Sequence, residues 1–83
     1  MSSNSESAFD ALQQADMDRF ARRLVALRRI RCWSREKLAV ECQMSTQYLA
    51  EVEAGKHNIP LLNILRLVRA LGCKTEELFS EEE

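Results

Sequence analysis

Apolar residues along the chain recur at intervals of three and four, and nowhere do they alternate with period two over a useful length. The pattern therefore predicts helices and no strands. Met17, Phe20, Leu24 and Leu27 form one apolar face, while Arg19, Arg22, Arg23 and Arg29 fall mostly elsewhere. This predicts a first helix from Asp16 to near Arg31 or Cys32. Before it, Phe9 and Leu12 allow some helix within residues 6–15. Ser34 suits the N-cap of a second helix, with Glu36 in its first turn and Leu38, Ala39 and Cys42 facing inward. A break follows at Gln43 and Met44. Ser45 then caps a third helix with Tyr48, Leu49 and Val52 inside, and Gly55 ends it. Pro60 is placed to open a fourth helix at its first position, and Gly72 to close it. Thr75 caps a short fifth helix anchored by Leu78 and Phe79. The division expected is a polar, acidic, partly helical extension (1–15), one domain (16–80) and an acidic tail (81–83).

The fourth helix is too apolar for one contact. Leu61, Leu62, Ile64, Leu65, Leu67, Val68 and Leu71 sweep an arc of roughly 220° at 100° per residue, where a single core face needs a stripe only somewhat above ~100°. The surplus must meet a second copy of the chain, with Leu61, Ile64, Leu65, Leu67 and Val68 at the interface, or else a fifth helix.

The break at residues 43–44 joins two short helices, an arrangement that in DNA-binding proteins sends its second helix into the major groove. On a wheel with Leu49 at 0°, Tyr48 and Val52 lie within about 100° on the core side, whereas Gln47 and Glu51 fall near ~160° and ~200°. Ala50 and Ala54 beside them are small, and Thr46 stands at the helix mouth. A glutamine amide donates and accepts in one plane, which matches adenine N6 and N7. A glutamate can accept from cytosine N4. The same spacing also describes a plain solvated face. Ser34 and Arg35 sit where free amides and the helix dipole favour an anion, and Lys56, His57 and Asn58 make a polar loop able to hold a second phosphate.

Charge changes this picture. The 83 residues sum to −1, which alone speaks against a polyanion. Yet all twelve Lys and Arg lie within residues 17–75, against five acids, a net of +7, and the remaining acids cluster at the two ends. Local basic surface, not the total, sets affinity for nucleic acid. The acidic ends are solvated tails or a surface for a protein partner. Composition is otherwise ordinary, 46% hydrophobic and 30% charged. No apolar run approaches the roughly 20 residues of a membrane span. The first residues lack the basic and apolar blocks of a secretory leader. A cytoplasmic, nucleoid-associated protein without a membrane role is expected. Cys32, Cys42 and Cys73 show no C-x-x-C spacing and read as small hydrophobes near the core, rather than as a thiol sensor or metal ligands. With His57 the sole histidine and no carboxylate pair, nucleophile–base set or glycine-rich phosphate loop, neither an enzyme nor a metal or cofactor site is expected.

Residues 20–79 resemble the XRE/Cro-type helix-turn-helix domain of lambda-repressor-like DNA-binding proteins. The shared elements are Leu27-Arg28, S-x-x-x-L-A from Ser34 to Ala39, S-x-x-Y-L-A-x-V-E-x-G from Ser45 to Gly55, P-x-x-x-I-L-x-L-V-x-A-L from Pro60, and the closing E-E-L-F. The resemblance implies an all-α, compact five-helix fold that dimerises and binds palindromic operators in double-stranded DNA. It places base contacts at Thr46, Gln47 and Glu51, and phosphate contacts at Arg35, Ser45, Tyr48 and Lys56. It pairs Arg28 with Glu53 as a structural ion pair. Gln43 and Cys32 depart from the pattern, each standing where the family commonly has glycine. A homodimeric, sequence-specific transcription regulator, a repressor among the possibilities, is the leading expectation. The other is an interaction module or antitoxin-like partner that keeps the fold without reading DNA.

Overall fold

A computed structural model describes residues 3–81. Glu82 and Glu83 of the expected acidic tail lie outside them. Among the described residues the chain forms five helices and no strand: α1 (Ser3–Ile30), α2 (Arg35–Cys42), α3 (Thr46–Glu53), α4 (Leu61–Leu71) and α5 (Thr75–Leu78). α1 and α2 both pack on α3, α4 lies across α2, and α5 closes the fold between α1 and α4. The inner faces meet in one core of Phe20, Leu24, Leu27, Leu38, Ala39, Cys42, Leu49, Val52, Leu67, Leu71 and Leu78. No helix among the described residues is long and apolar enough to cross a membrane.

α1 is longer than the sequence pattern indicates. Its 28 residues span about 42 Å and run unbroken through the point where the periodicity strengthens. Phe9 and Leu12 on its first half are exposed. The extension is nonetheless tied to the domain at its base. Gln14 Nε2 donates to the Gly55 carbonyl at 2.8 Å and to Asp18 Oδ1 at 2.9 Å.

Helices α1 to α4 all end by the same device. An amide two or three residues past the helix reaches back to a carbonyl five residues earlier: Trp33 to Arg28 (3.2 Å), Met44 to Ala39 (3.0 Å), Lys56 to Glu51 (3.0 Å) and Cys73 to Val68 (3.3 Å). This closure needs a left-handed residue between, which favours glycine. Gly55 and Gly72 supply it twice, at φ 75° and 63°, but Cys32 and Gln43 supply it at φ 57° and 61°. Each of those two carries a side chain in a conformation that costs about 1–2 kcal/mol.

Several expectations shift by a residue. Pro60 is the N-cap of α4 rather than its first helical residue, because its ψ of 152° is extended. The cap of α5 is Lys74, not Thr75; its amide donates to Glu77 Oε1 at 2.8 Å, so the glutamate side chain folds back over the helix start. Cys42 is buried and Cys73 partly so, and burial raises both thiol pKa values. Cys32 differs: it is exposed, because the left-handed turn projects it away from the core. Leu67, expected at a subunit interface, is wholly enclosed in the core and presents nothing to a partner. The surplus on α4 is narrower than seven residues. Ile64 and Val68 pack against the core and α5 adjoins the helix, while Leu61 and Leu62 remain exposed and Leu65 stands outside the core cluster.

Candidate nucleic-acid interface

The start of the interface is built by caps. Ser34 Oγ accepts from the Lys37 amide and Ser45 Oγ from the Tyr48 amide, each at 3.0 Å. These bonds fix where α2 and α3 begin, and each hydroxyl keeps its proton to donate outward. The left-handed Gln43 between them turns the chain, so that Leu38 and Ala39 of α2 and Leu49 and Val52 of α3 all enter the core. With that face of α3 fixed inward, Gln47 lies on the exposed face, Glu51 is only partly covered, and Thr46 stands at the mouth. Periodicity placed these three correctly relative to the core.

Their contacts were not visible from spacing. Glu51 Oε1 lies 2.5 Å from His57 Nε2, and Gln47 Nε2 points at Glu51 Oε2 from 3.5 Å. The hydrogen bond from His57, with a lesser one from Gln47, lowers the Glu51 pKa below the usual glutamate value. Since the folded value is the lower one, these bonds contribute stability above the ordinary carboxylate range and lose it as pH falls through the lowered value. Glu51 is thus anionic at any pH near neutrality. His57 stacks on Tyr48, ring centroids 5.0 Å apart, and the Tyr48 hydroxyl accepts from Asn63 Nδ2 at 3.2 Å. The loop after α3 is thereby clamped to α3 and α4. Lys56 and Asn58 on that loop are exposed, whereas His57 turns toward Glu51. The missed signal was the six-residue step from Glu51 to His57, which crosses the Gly55 turn and has no helical meaning.

Glu53 lies on the opposite side of α3, its side chain 3% exposed. Arg28 binds it through two nitrogens, at 2.7 and 3.1 Å, and also donates to the Trp33 carbonyl at 2.9 Å. The expected pair is present, with a third member: Arg35 Nε reaches Glu53 Oε1 at 3.0 Å. Arg35 is tethered on one edge of its guanidinium but 41% exposed, so the other edge still faces solvent at the start of α2. Every buried side-chain nitrogen or oxygen among the described residues has a hydrogen-bond partner. Among those residues no group of three or more His, Cys, Asp and Glu is placed to hold a metal ion.

A short α2, a left-handed turn and an α3 with an open polar face together define a helix-turn-helix DNA-binding protein. The helix-turn-helix family model matches residues 26–78. The chain belongs to that family, in its XRE/Cro-type branch, whose members are DNA-binding regulators and not enzymes. It is 33% identical over 66 residues to the control protein C.MunI of a Mycoplasma species, covering 78% of this chain and 89% of that protein. It is 40% identical over 45 residues to the control protein C.BamHI of Bacillus amyloliquefaciens, spanning 54% of this chain but only 56% of that relative's length. Its fold is similar to that of the restriction-modification controller protein C.AhdI from Aeromonas hydrophila, with a TM-score of 0.76 and 40% identity over 78% of this chain and 98% of that one. The chain is accordingly a DNA-binding regulatory domain with an all-α, five-helix helix-turn-helix fold.

Proposed function

We propose that this chain is a sequence-specific transcription regulator that binds a palindromic operator as a homodimer, with α3 lying in the major groove. The observation that carries the reading is the outer face of α3. It presents an amide at Gln47 and a carboxylate at Glu51 one turn apart, with a hydroxyl at Thr46, and no bulky apolar side chain between them. These three are the proposed base contacts. Ser34, Arg35, Ser45, Tyr48, Lys56 and Asn58 surround them as phosphate contacts, and they position rather than specify. The partly exposed Arg35, bonded to Glu53 in the last turn of α3, and the exposed Lys56 just beyond that turn put two cations at the C-terminal end of α3. A second copy would cover Leu61, Leu62 and Leu65 of α4. The names of the relatives favour control of restriction–modification genes, and a place at the nucleoid follows from the DNA partner.

One observation favours a second reading, a protein-binding module. The first half of α1 is free of Lys and Arg and exposes Phe9 and Leu12. Selection of random DNA fragments by the purified protein, followed by titration of the winning fragment against salt, separates the two. A reader yields a palindrome whose half-sites lie about one helical turn apart, with affinity falling steeply as salt rises. Selection of no common sequence, with weak binding at every salt concentration, would overturn the regulator reading.

A further inference from the structure

We propose that His57 is a specificity-determining positioning residue: from outside the reading helix it aims the Glu51 carboxylate at the bases and, as an imidazolium in contact with it, offsets its charge when DNA binds. This rests on the reading of α3 as the base-contacting helix. Glu51 has two oxygens with different fates. Oε1 is held by His57 Nε2 at 2.5 Å, and Oε2 is left on the outer face near the Gln47 amide, 3.5 Å away. A glutamate on an exposed helix normally samples several rotamers, and fixing them on binding costs affinity. Here the stack of His57 on Tyr48 and the bond from Asn63 to Tyr48 hold the imidazole, and the imidazole holds the carboxylate. The outward oxygen, which only the long bond from Gln47 engages, is thus set to accept from a cytosine N4 before DNA arrives.

Charge gives His57 its second role. An anionic Glu51 entering the groove meets two rows of phosphates. An imidazolium in contact with it cancels that charge, and the phosphates themselves favour the protonated ring. The charged groups around His57 are few. Glu51 faces it from α3, Lys56 precedes it in the loop, and Asp16 of α1 lines the same small groove. Asp16 is itself paired with Arg19 at 3.1 Å, and α4 and α5 contribute only Ile64 and Phe79 to that groove. Glu51 is thus the anion in direct contact with the ring. Hydrogen bonding, first from His57 and then from Gln47, holds the Glu51 carboxyl below the usual glutamate range, so Glu51 enters the groove as an anion.

The test measures affinity for the selected site, and for the same site changed at its cytosine contact, from pH 5.5 to 8 in the full chain. The wild-type protein is expected to bind about tenfold tighter at pH 5.5, the effect of a one-unit difference in proton affinity between free and bound states. Glu51→Gln should abolish this dependence. His57→Gln, whose amide can replace Nε2 as donor but does not titrate, should lose the dependence and keep the cytosine preference. His57→Ala should lose both, and its circular dichroism and melting curve confirm that it is folded. A pH dependence that survives in Glu51→Gln would show the histidine acting directly on a phosphate and would overturn the proposal. So would a cytosine preference that survives in His57→Ala, or wild-type affinity that is flat across the range. Failure of the wild-type protein to select any sequence would instead overturn the reading beneath it, before any variant is made.

Discussion

At the scale of single residues, the molecule holds both avoidable strain and its reading chemistry. Cys32 and Gln43 occupy left-handed positions that Gly55 and Gly72 fill elsewhere in the same closure. Both are exposed, so removing either side chain uncovers no core. Glycine relieves about 1–2 kcal/mol of strain but returns up to about 1 kcal/mol of flexibility to the unfolded chain. Gln43→Gly and Cys32→Gly should therefore each stabilise by about 0.5–1 kcal/mol and add nearly independently in the double variant, as read by denaturant midpoints. Unchanged midpoints would mean that these side chains repay their strain through contacts. The reading residues divide differently. Gln47→Ala should cost about 1–3 kcal/mol on the selected site and relax preference at one base pair. Lys56→Ala should weaken every sequence alike and lower the salt slope by about one. Fluorescence anisotropy on matched and mismatched duplexes distinguishes these outcomes.

At the scale of elements, periodicity showed which faces turn inward but not where helices stop. The strengthening at Asp16 reflects where α1 meets the core, and the helix itself continues back to Ser3. The exposed stretch 8–16 has no need of an apolar stripe, so its sequence does not announce it. What binds the elements was legible only in part. The Arg28–Glu53 pair was implied by the family pattern, but Arg35 as its third member depends on three separate helices converging. That arrangement predicts an asymmetry. Glu53→Ala leaves the buried Arg28 guanidinium with only the Trp33 carbonyl, and should destabilise by about 3 kcal/mol, the cost typical of breaking a buried pair. Arg35→Ala removes a partner that is well exposed and should cost under about 1 kcal/mol, while still weakening DNA binding. Equal losses of stability in urea melts would contradict this division of roles.

For the whole molecule, the five-helix arrangement was legible because nearly every core position lay on a helical period. The loop after α3 was not, since stacking and turn geometry, rather than spacing, join His57 to Glu51 and Gln14 to Gly55. Subunit assembly falls between these cases. The apolar excess of α4 was visible as an arc, but only folding sorts it: Leu67 inward, Ile64 and Val68 against the core, Leu61 and Leu62 toward solvent, and Leu65 half-buried outside the core cluster. This sorting makes the dimer testable with variants that were indistinguishable in the sequence. Leu67→Glu puts a charge into the core and should unfold the protein, since burying an unpaired carboxylate costs several kcal/mol. Leu61→Glu and Leu65→Glu leave the core intact and place the charge where a second copy would pack. They should keep the helical spectrum and halve the mass seen by light scattering. With one half-site reader per molecule, they should also lose affinity for the palindrome far more than for a single half-site. If both variants remain folded dimers, the contact between copies lies on another face of the molecule, with Leu61 and Leu65 outside it.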